Sequence, residues 1–265
     1  MAGGMLDPAF QTVSPLGFGA FKIGRNQGIK YPRGYDLPTG EQAARLLNEV
    51  LDLGINLIDT APAYGLSEER IGQALAHRRG EFLLCSKAGE TFENGASAHD
   101  FSREGTLRSV QRSLRRLRTG ALDILLIHSD GRDVEILSHE EIVPAMLELK
   151  KSGLVRFIGL SGKTPEGARK AMEWADVIAV EYHPEDRSHE EVIALAGRKG
   201  VAVIVKKPLA SGRLAAGAAL PFILACPEVC SVLAGSLDIA HVREDLRLAQ
   251  AARAKKNLAS PPAPG

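Results

Sequence analysis

Short apolar runs rich in Val, Ile and Leu recur along the chain, each followed by a longer stretch with apolar residues at helical spacing. The strand-like runs fall at residues 15–20, 56–59, 82–86, 123–128, 155–160, 177–182, 201–206 and 231–235. Several are near-continuous rather than alternating. A strand reads that way when both its faces are covered, as in a parallel sheet. Between them the periodicity predicts helices at 41–53, 67–76, 102–117, 139–151, 164–174, 188–199, 215–225 and 239–252. The first carries Ala44, Leu47 and Leu51 at helical spacing, with Thr39 in the N-cap place and Gly54 as a stop.

Eight strand–helix units in a chain of 265 residues predict an α/β fold of one domain, a closed (β/α)8 TIM barrel. An open doubly wound sheet is the alternative, though eight units would make it unusually large. The barrel is expected over 15–253, with 1–14 as a small cap on its floor and 254–265, ending in Pro and Gly, as a flexible tail. Two strand-to-helix loops are long, 22–39 and 88–101. Long loops after barrel strands usually line an active site. Tyr31 and Tyr35, in the first of them, either cover a substrate or pack the loop.

Composition narrows the partners. The net charge is +1, which gives no electrostatic footprint for nucleic acid or a membrane surface. Arg112, Arg115, Arg116 and Arg118 lie on a helix-like stretch and read as a solvated face. The three cysteines, Cys85, Cys226 and Cys230, fit no disulfide framework or zinc spacing. Cys226 and Cys230, four apart, read as core thiols more simply than as a ligand pair. The pair His183 and His189, six apart on a loop, fixes no metal geometry, and no metal is expected. With neither a long apolar run nor a secretory leader, the expectation is a cytoplasmic monomer or small homo-oligomer without membrane contact.

Polar residues end three of the apolar runs. Asp59 closes the second, Lys87 follows the third and His128 closes the fourth, while Tyr64 stands five residues after Asp59. All three strand ends face one mouth of a barrel, so the four side chains can converge. Free tyrosine titrates too high for efficient proton donation at neutral pH, and a neighbouring ammonium favours phenolate. A carboxylate would fix that lysine, and a histidine can bind and orient a carbonyl oxygen. Such a set protonates a carbonyl as it receives hydride. Each residue alone has a plainer reading: Asp59 as a loop cap, Lys87 as surface, His128 as a strand-end side chain, Tyr64 as packing. In this order, at successive strand ends, coincidence is much the weaker account.

The segment Gly54-Ile-Asn-Leu-Ile-Asp59-Thr-Ala-Pro-Ala-Tyr64-Gly-Leu-Ser-Glu-Glu-Arg-Ile-Gly72 resembles the signature of the aldo-keto reductases. Leu122-Asp-Ile-Leu-Leu-Ile-His128 is similar to that family's histidine strand, and Val155-Arg-Phe-Ile-Gly-Leu-Ser161 to its fifth-strand motif. The resemblance runs from about Leu16 to Leu248. It implies a catalytic Asp59–Tyr64–Lys87–His128 tetrad, with Tyr64 as general acid in reduction and general base in oxidation. It also implies direct hydride exchange between a nicotinamide dinucleotide and a small carbonyl or alcohol.

The same resemblance implies the cofactor residues. Ala20 and Phe21 follow the first strand, and Asp59 is shared with the tetrad. Ser161 and Gly162 stand where the family usually has Ser-Asn beside the carboxamide. Lys206, Lys207, Pro208, Leu209, Ser211 and Gly212 resemble the pyrophosphate loop. Lys206 takes a place often held by a stacking aromatic residue, and Ala179 that of a carboxamide-binding glutamine. Gly235, Ser236, His241, Glu244 and Asp245 are similar to the adenosine segment, with Glu244 and Asp245 at the adenine. The family leans to NADPH, while weak basic character here makes NADH a competitor. Two other patterns carry nothing: Gly162-Lys-Thr has Phe157 where a phosphate loop needs glycine, and Gly17-Phe-Gly19 has Lys22 where a dinucleotide fingerprint needs one. The other readings are a nucleotide-binding redox-sensing regulatory subunit and a metal-dependent or Schiff-base barrel enzyme, such as a lyase using Lys87 or Lys206.

Overall fold

The computed structural model describes residues 5–29 and 31–259. In chain order the first elements are α1 (Pro8–Gln11), β1 (Leu16–Gly19), α2 (Gly40–Asp52), β2 (Leu57–Asp59), a 3-10 turn at Pro62–Tyr64, α3 (Ser67–Leu75) and β3 (Leu83–Ala88). A two-stranded excursion follows, β4 (Glu90–Glu93) and β5 (Ala96–His99), then α4 (Arg103–Leu117), β6 (Leu122–His128), α5 (Asp133–His139) and α6 (Ile142–Lys151). The second half alternates: β7 (Val155–Ser161), α7 (Pro165–Ala171), β8 (Val177–Glu181), α8 (Glu190–Lys199), β9 (Ala202–Lys206), α9 (Ala216–Leu224), β10 (Val229–Ala234) and α10 (Ile239–Ala259).

Eight of the strands close on themselves in the order β1-β2-β3-β6-β7-β8-β9-β10, every neighbouring pair parallel. This is the (β/α)8 barrel that the strand–helix alternation predicts. Local chemistry and fold agree at α2. Thr39 Oγ1 accepts from Gln42 N at 3.2 Å, and Gln42 Oε1 accepts from Thr39 N at 2.8 Å, a reciprocal capping box. Gly54 ends the turn after α2 with φ 86°, in the left-handed region.

Alternation along the strands divides the core in two. Leu57, Cys85, Ile124, Leu126, Phe157, Val177, Ala179, Ala202 and Ile204 point into the barrel, and Phe10 and Val13 of the N-terminal segment join them from below. Phe10 packs on Phe157 with ring centroids 4.8 Å apart. Their neighbours on the strands, such as Ile58, Leu84, Leu125, Ile127 and Ile158, face the helices. Side chains two residues apart on a strand share a face. Asp59, Lys87, His128, Ser161 and Lys206 are therefore in phase with the inward set. They form a polar top layer over an apolar barrel filling.

Three boundaries depart from the expectation. The helix predicted at 139–151 is α6, which starts only at Ile142, and an unpredicted helix, α5, precedes it with Glu140 extended between the two. α5 buries little besides Ile136 and leaves Val134 exposed, so its apolar period is faint. The long loop at 88–101 contains the β4–β5 hairpin. α10 runs on to Ala259, past residue 253, while 1–4 and 260–265 lie outside the described residues. No helix among the described residues is long and apolar enough to cross a membrane.

Candidate active site

The polar layer opens into a cavity of about 450 Å³ at the C-terminal ends of the strands. Register sets its floor. Gly19 pairs with Asp59, His128 with Ser161, Ser161 with Ala179, and Glu181 with Lys206, so successive strands end at one level. On the β2–β3 side, Lys87 Nζ donates to Asp59 Oδ1 at 2.7 Å and to Thr60 O at 2.8 Å. Both side chains of this pair are buried. Burial opposes the charge on Lys87, but the Asp59 carboxylate and the Tyr64 hydroxyl raise its pKa above the ordinary value. Lys87 is therefore an ammonium throughout the neutral range.

Tyr64 is carried in by the 3-10 turn after β2. Its backbone N donates to Ala61 O at 2.9 Å. The turn is fastened to the loop after β1: Leu66 N donates to Gly24 O at 3.1 Å, and Ser67 Oγ to Ala20 O at 2.8 Å. Gly24 is forced by this contact, since a Cβ there would lie 2.1 Å from Tyr64 O. Lys87 Nζ sits 4.8 Å from the Tyr64 ring centroid, and Phe21 meets the ring edge-on at 5.0 Å. The imidazole of His128 faces the same ring at 6.0 Å, nearly perpendicular. The four residues expected to meet therefore do.

One electrostatic expectation is reversed. The nearby ammonium was expected to bring the Tyr64 pKa down. Lys87 does pull that way, but burial outweighs it, and the Tyr64 hydroxyl is pushed up to about 12. Tyr64 is therefore a neutral phenol at neutral pH.

The β7–β9 side is built differently. Lys206 Nζ donates to Gly162 O at 2.6 Å and to Ser161 Oγ at 3.0 Å. Burial first, then the neighbouring cations Lys207 and Lys87, pull Lys206 down to about 7. Asp133 holds the adjoining loop: its Oδ2 accepts from Lys163 N and Thr164 N, both at 2.7 Å, and from Thr164 Oγ1 at 2.9 Å. This carboxylate already fills the start of α7, which disposes of the Gly162-Lys-Thr pattern as a phosphate loop.

Of the residues the resemblance assigned to a cofactor, Phe21, Asp59, Ser161, Lys206, Lys207 and Pro208 line the cavity, as do Leu209, Ser211, Gly212, Gly235 and Asp245. Ala20 and Gly162 contribute backbone oxygens, to Ser67 and Lys206 respectively. Ser236, His241 and Glu244 are not brought in. Ser236 Oγ lies 3.5 Å from His241 Nδ1 at the surface, and exposed Glu244 is paired with Arg247 at 2.7 Å. Lys207 projects outward to Glu181 Oε2 at 2.6 Å. Tyr31 lines the cavity, with Lys22 Nζ 4.4 Å above its ring, and also packs on Tyr35 within the loop with ring centroids 6.0 Å apart.

The reading of strand ends missed Glu90, Arg25 and Lys22. Glu90 Oε2 lies 2.8 Å from His128 Nδ1. A signal for it existed: Asn94-Gly95 between alternating residues is a strong hairpin cue, and the structure puts both at positive φ, 52° and 82°. A hairpin read there places Glu90 at the cavity rim. Among the described residues no group of His, Cys, Asp and Glu is arranged to hold a metal ion.

The site is thus a buried Asp–Lys pair, a tyrosine and a histidine gathered at one mouth of a closed parallel barrel, the end at which barrel enzymes carry their active sites. The profile of the Aldo/keto reductase family matches residues 15–221, and the chain belongs to that family. It is 33% identical to L-galactose dehydrogenase of Arabidopsis thaliana over 254 residues, 87% of this chain and 72% of that protein. It is 32% identical to NADH-specific methylglyoxal reductase of Escherichia coli over 177 residues, covering 61% of this chain and 54% of that one. A crystal structure of a Pseudomonas aeruginosa protein assigned to the aldo-keto reductases is 41% identical, with a TM-score of 0.85 over 95% of this chain and 98% of its own. The chain is an oxidoreductase of this family.

Proposed function

We propose that the protein reduces a small aldehyde or ketone to the alcohol, or runs the reverse, with a nicotinamide dinucleotide as redox partner and Tyr64 as the proton-transferring group. The observation that carries this reading is the convergence of Tyr64, Lys87, Asp59 and His128 on one cavity wall.

The cavity fits an extended anionic cofactor. It runs from Tyr64 past Ser161 and Lys206 to Gly235 and Asp245, and Lys22 and Lys163 also line it. Gly235 packs where a Cβ would lie 2.1 Å from Gly19 O, so the backbone there comes as close as it can. Ser161, Lys206 and the 207–212 loop would hold the nicotinamide half, and Gly235 and Asp245 the adenosine half. Bound there, the dinucleotide supplies hydride at its ring C4.

The chain's own residues do the rest. Tyr64 keeps its proton at neutral pH and is a donor at rest. As negative charge builds on the carbonyl oxygen, the fixed Lys87 ammonium stabilises the phenolate that proton transfer leaves behind. Asp59 holds that ammonium charged and in place. In oxidation the same tyrosine takes the alcohol proton.

NADPH is the cofactor of this reading, following the family's lean, and NADH its competitor, since His241 and Ser236 lie outside the cavity lining. Fluorescence titration with each nucleotide decides between them. Tyr64→Phe is expected to lower aldehyde turnover by roughly 10²–10⁴-fold with nucleotide binding retained. Wild-type turnover by that variant would sink the reading.

A further inference from the structure

Glu90 opens β4, immediately after the strand that carries Lys87, and reaches back over the mouth of the barrel. Its Oε2 lies 2.8 Å from His128 Nδ1, and its Oε1 accepts from Ser97 Oγ at 2.7 Å across the hairpin. The two side chains of the pair are 15% and 19% exposed. Burial alone would raise the Glu90 pKa, but His128 and the Ser97 hydroxyl hold it down at about 2, so it is a carboxylate. His128 Nδ1 is buried and has no aligned hydrogen-bond partner among the described residues. The 2.8 Å approach is within hydrogen-bond reach, and a small turn of the ring brings it into line.

A carboxylate can only accept, so a ring nitrogen facing it is best served by carrying a proton. A neutral imidazole has one N–H. If Nδ1 keeps it, Nε2 is a bare acceptor and has nothing to offer a carbonyl oxygen, which is an acceptor too. Only the imidazolium gives one N–H to Glu90 and a second to a substrate carbonyl.

We propose that Glu90 is a positioning residue: it keeps a proton on His128 Nδ1, so that His128 offers a hydrogen bond to a carbonyl only as the imidazolium. The proposal rests on the carbonyl-reducing reading of the site. It leaves the proton donor unchanged, because Tyr64 still supplies the proton that reaches the oxygen and Glu90 transfers none.

The charges around the ring explain why a carboxylate is needed there. Lys87 on β3 and Lys206 on β9 face His128 as cations, and both oppose a further positive charge. Tyr64 meets it as a neutral phenol, and Asp59 is already spent on Lys87. Arg25 and His99 stand near Glu90 and act on its charge. Burial first, and the two lysines with it, draw the His128 pKa below the ordinary histidine value, while Glu90 draws it back. Paired with Glu90, the imidazolium adds no net charge to a layer that already holds an ammonium.

Nitrogen-15 NMR of the imidazole rings in the ligand-free protein tests this directly. A His128→Gln variant identifies the relevant signal among the seven histidines. The expected neutral ring carries its proton on Nδ1. In Glu90→Gln the His128 titration should move to lower pH by about one pKa unit or more, the usual effect of losing a close opposite charge. The pH at which reductive kcat/KM falls should move the same way. A neutral ring with Nδ1 bare overturns the proposal. So does an unchanged His128 titration in Glu90→Gln, even if turnover drops at every pH, because that pattern belongs to a hairpin with only a structural role. Should Glu90→Gln fail to fold, the wild-type spectrum alone decides the tautomer. These spectra need no turnover, so a protein that shows the shift yet reduces no carbonyl would refute the reductase reading and not the hold of Glu90 on His128.

Discussion

Lys87 and Lys206 occupy the same layer of the same barrel, and their charges are governed in opposite ways. Both end an inward-facing strand; Lys87 is buried, and Lys206 is half-buried at the cavity wall. Lys87 has a buried carboxylate at 2.7 Å, and its pKa rises. Lys206 has a hydroxyl and a carbonyl oxygen, and its pKa falls to about 7. Hydrogen bonds to neutral oxygens satisfy an ammonium's donors without offsetting the cost of desolvating its charge. The β2–β3 side is thus a permanently charged wall, and the β7–β9 side one that changes charge near neutrality. That division suits the proposed reaction, in which one wall stabilises a transient phenolate and the other admits an anionic cofactor.

The largest test of this contrast is to give Lys87 the surroundings of Lys206. Asp59→Asn leaves the hydrogen-bonding shape and removes the charge. Breaking a buried pair by removing one partner typically costs about 3–5 kcal/mol. Urea unfolding at pH 7 should show a loss of that order, and turnover should fall with it as Lys87 sheds its proton. A stability unchanged within about 0.5 kcal/mol would mean that Thr60 O alone holds the ammonium, and the contrast between the two lysines would collapse.

The sequence carried the charged wall openly and the other wall poorly. Asp59, Lys87 and His128 each end an apolar run, and period-2 alternation sends them inward with Leu57, Cys85 and Leu126. That inference needs only the strand pattern. Tyr64 was legible only by its distance from Asp59, because the 3-10 turn that carries it has no long period to read. Lys206 was legible as a strand end, but its partners were not, since Ser161 and the carbonyl of Gly162 come from a strand 45 residues away. Glu90 lay under an Asn-Gly turn that reading for barrel units passed over. The direction of the Tyr64 pKa was misread because burial is a property of the assembled cavity and Lys87 is visible in the chain.

A smaller effect sharpens the Lys206 side. Its folded-state pKa lies below the unfolded value, so the unfolded chain binds more protons between about pH 7 and pH 10.5. Stability from this group therefore rises with pH across that window, and the penalty of holding it charged is complete below it. Lys206→Met removes the penalty. The variant should exceed wild type in stability at pH 6, by about 1–4 kcal/mol where a buried charge gives way to an apolar side chain, and the gap should narrow towards pH 10. Urea midpoints at the two pH values check it. A gap that is constant with pH would show that Lys206 is no more buried in charge than a surface lysine.

The smallest effect comes from a pair adjacent in sequence. Glu244 and Asp245 were assigned together to the adenine end, but α10 turns them apart. Asp245 is half-buried, lines the cavity and has its pKa raised by burial, whereas Glu244 is exposed and bound to Arg247. One hydrogen bond to a ligand is worth about 0.5–1.5 kcal/mol, roughly a two- to tenfold change in affinity. Asp245→Ala should weaken nucleotide binding within that range in a fluorescence titration. Glu244→Ala should change it by less than about twofold, because nothing that touches the cavity is removed. Equal losses in the two variants would mean that α10 rotates when the nucleotide binds.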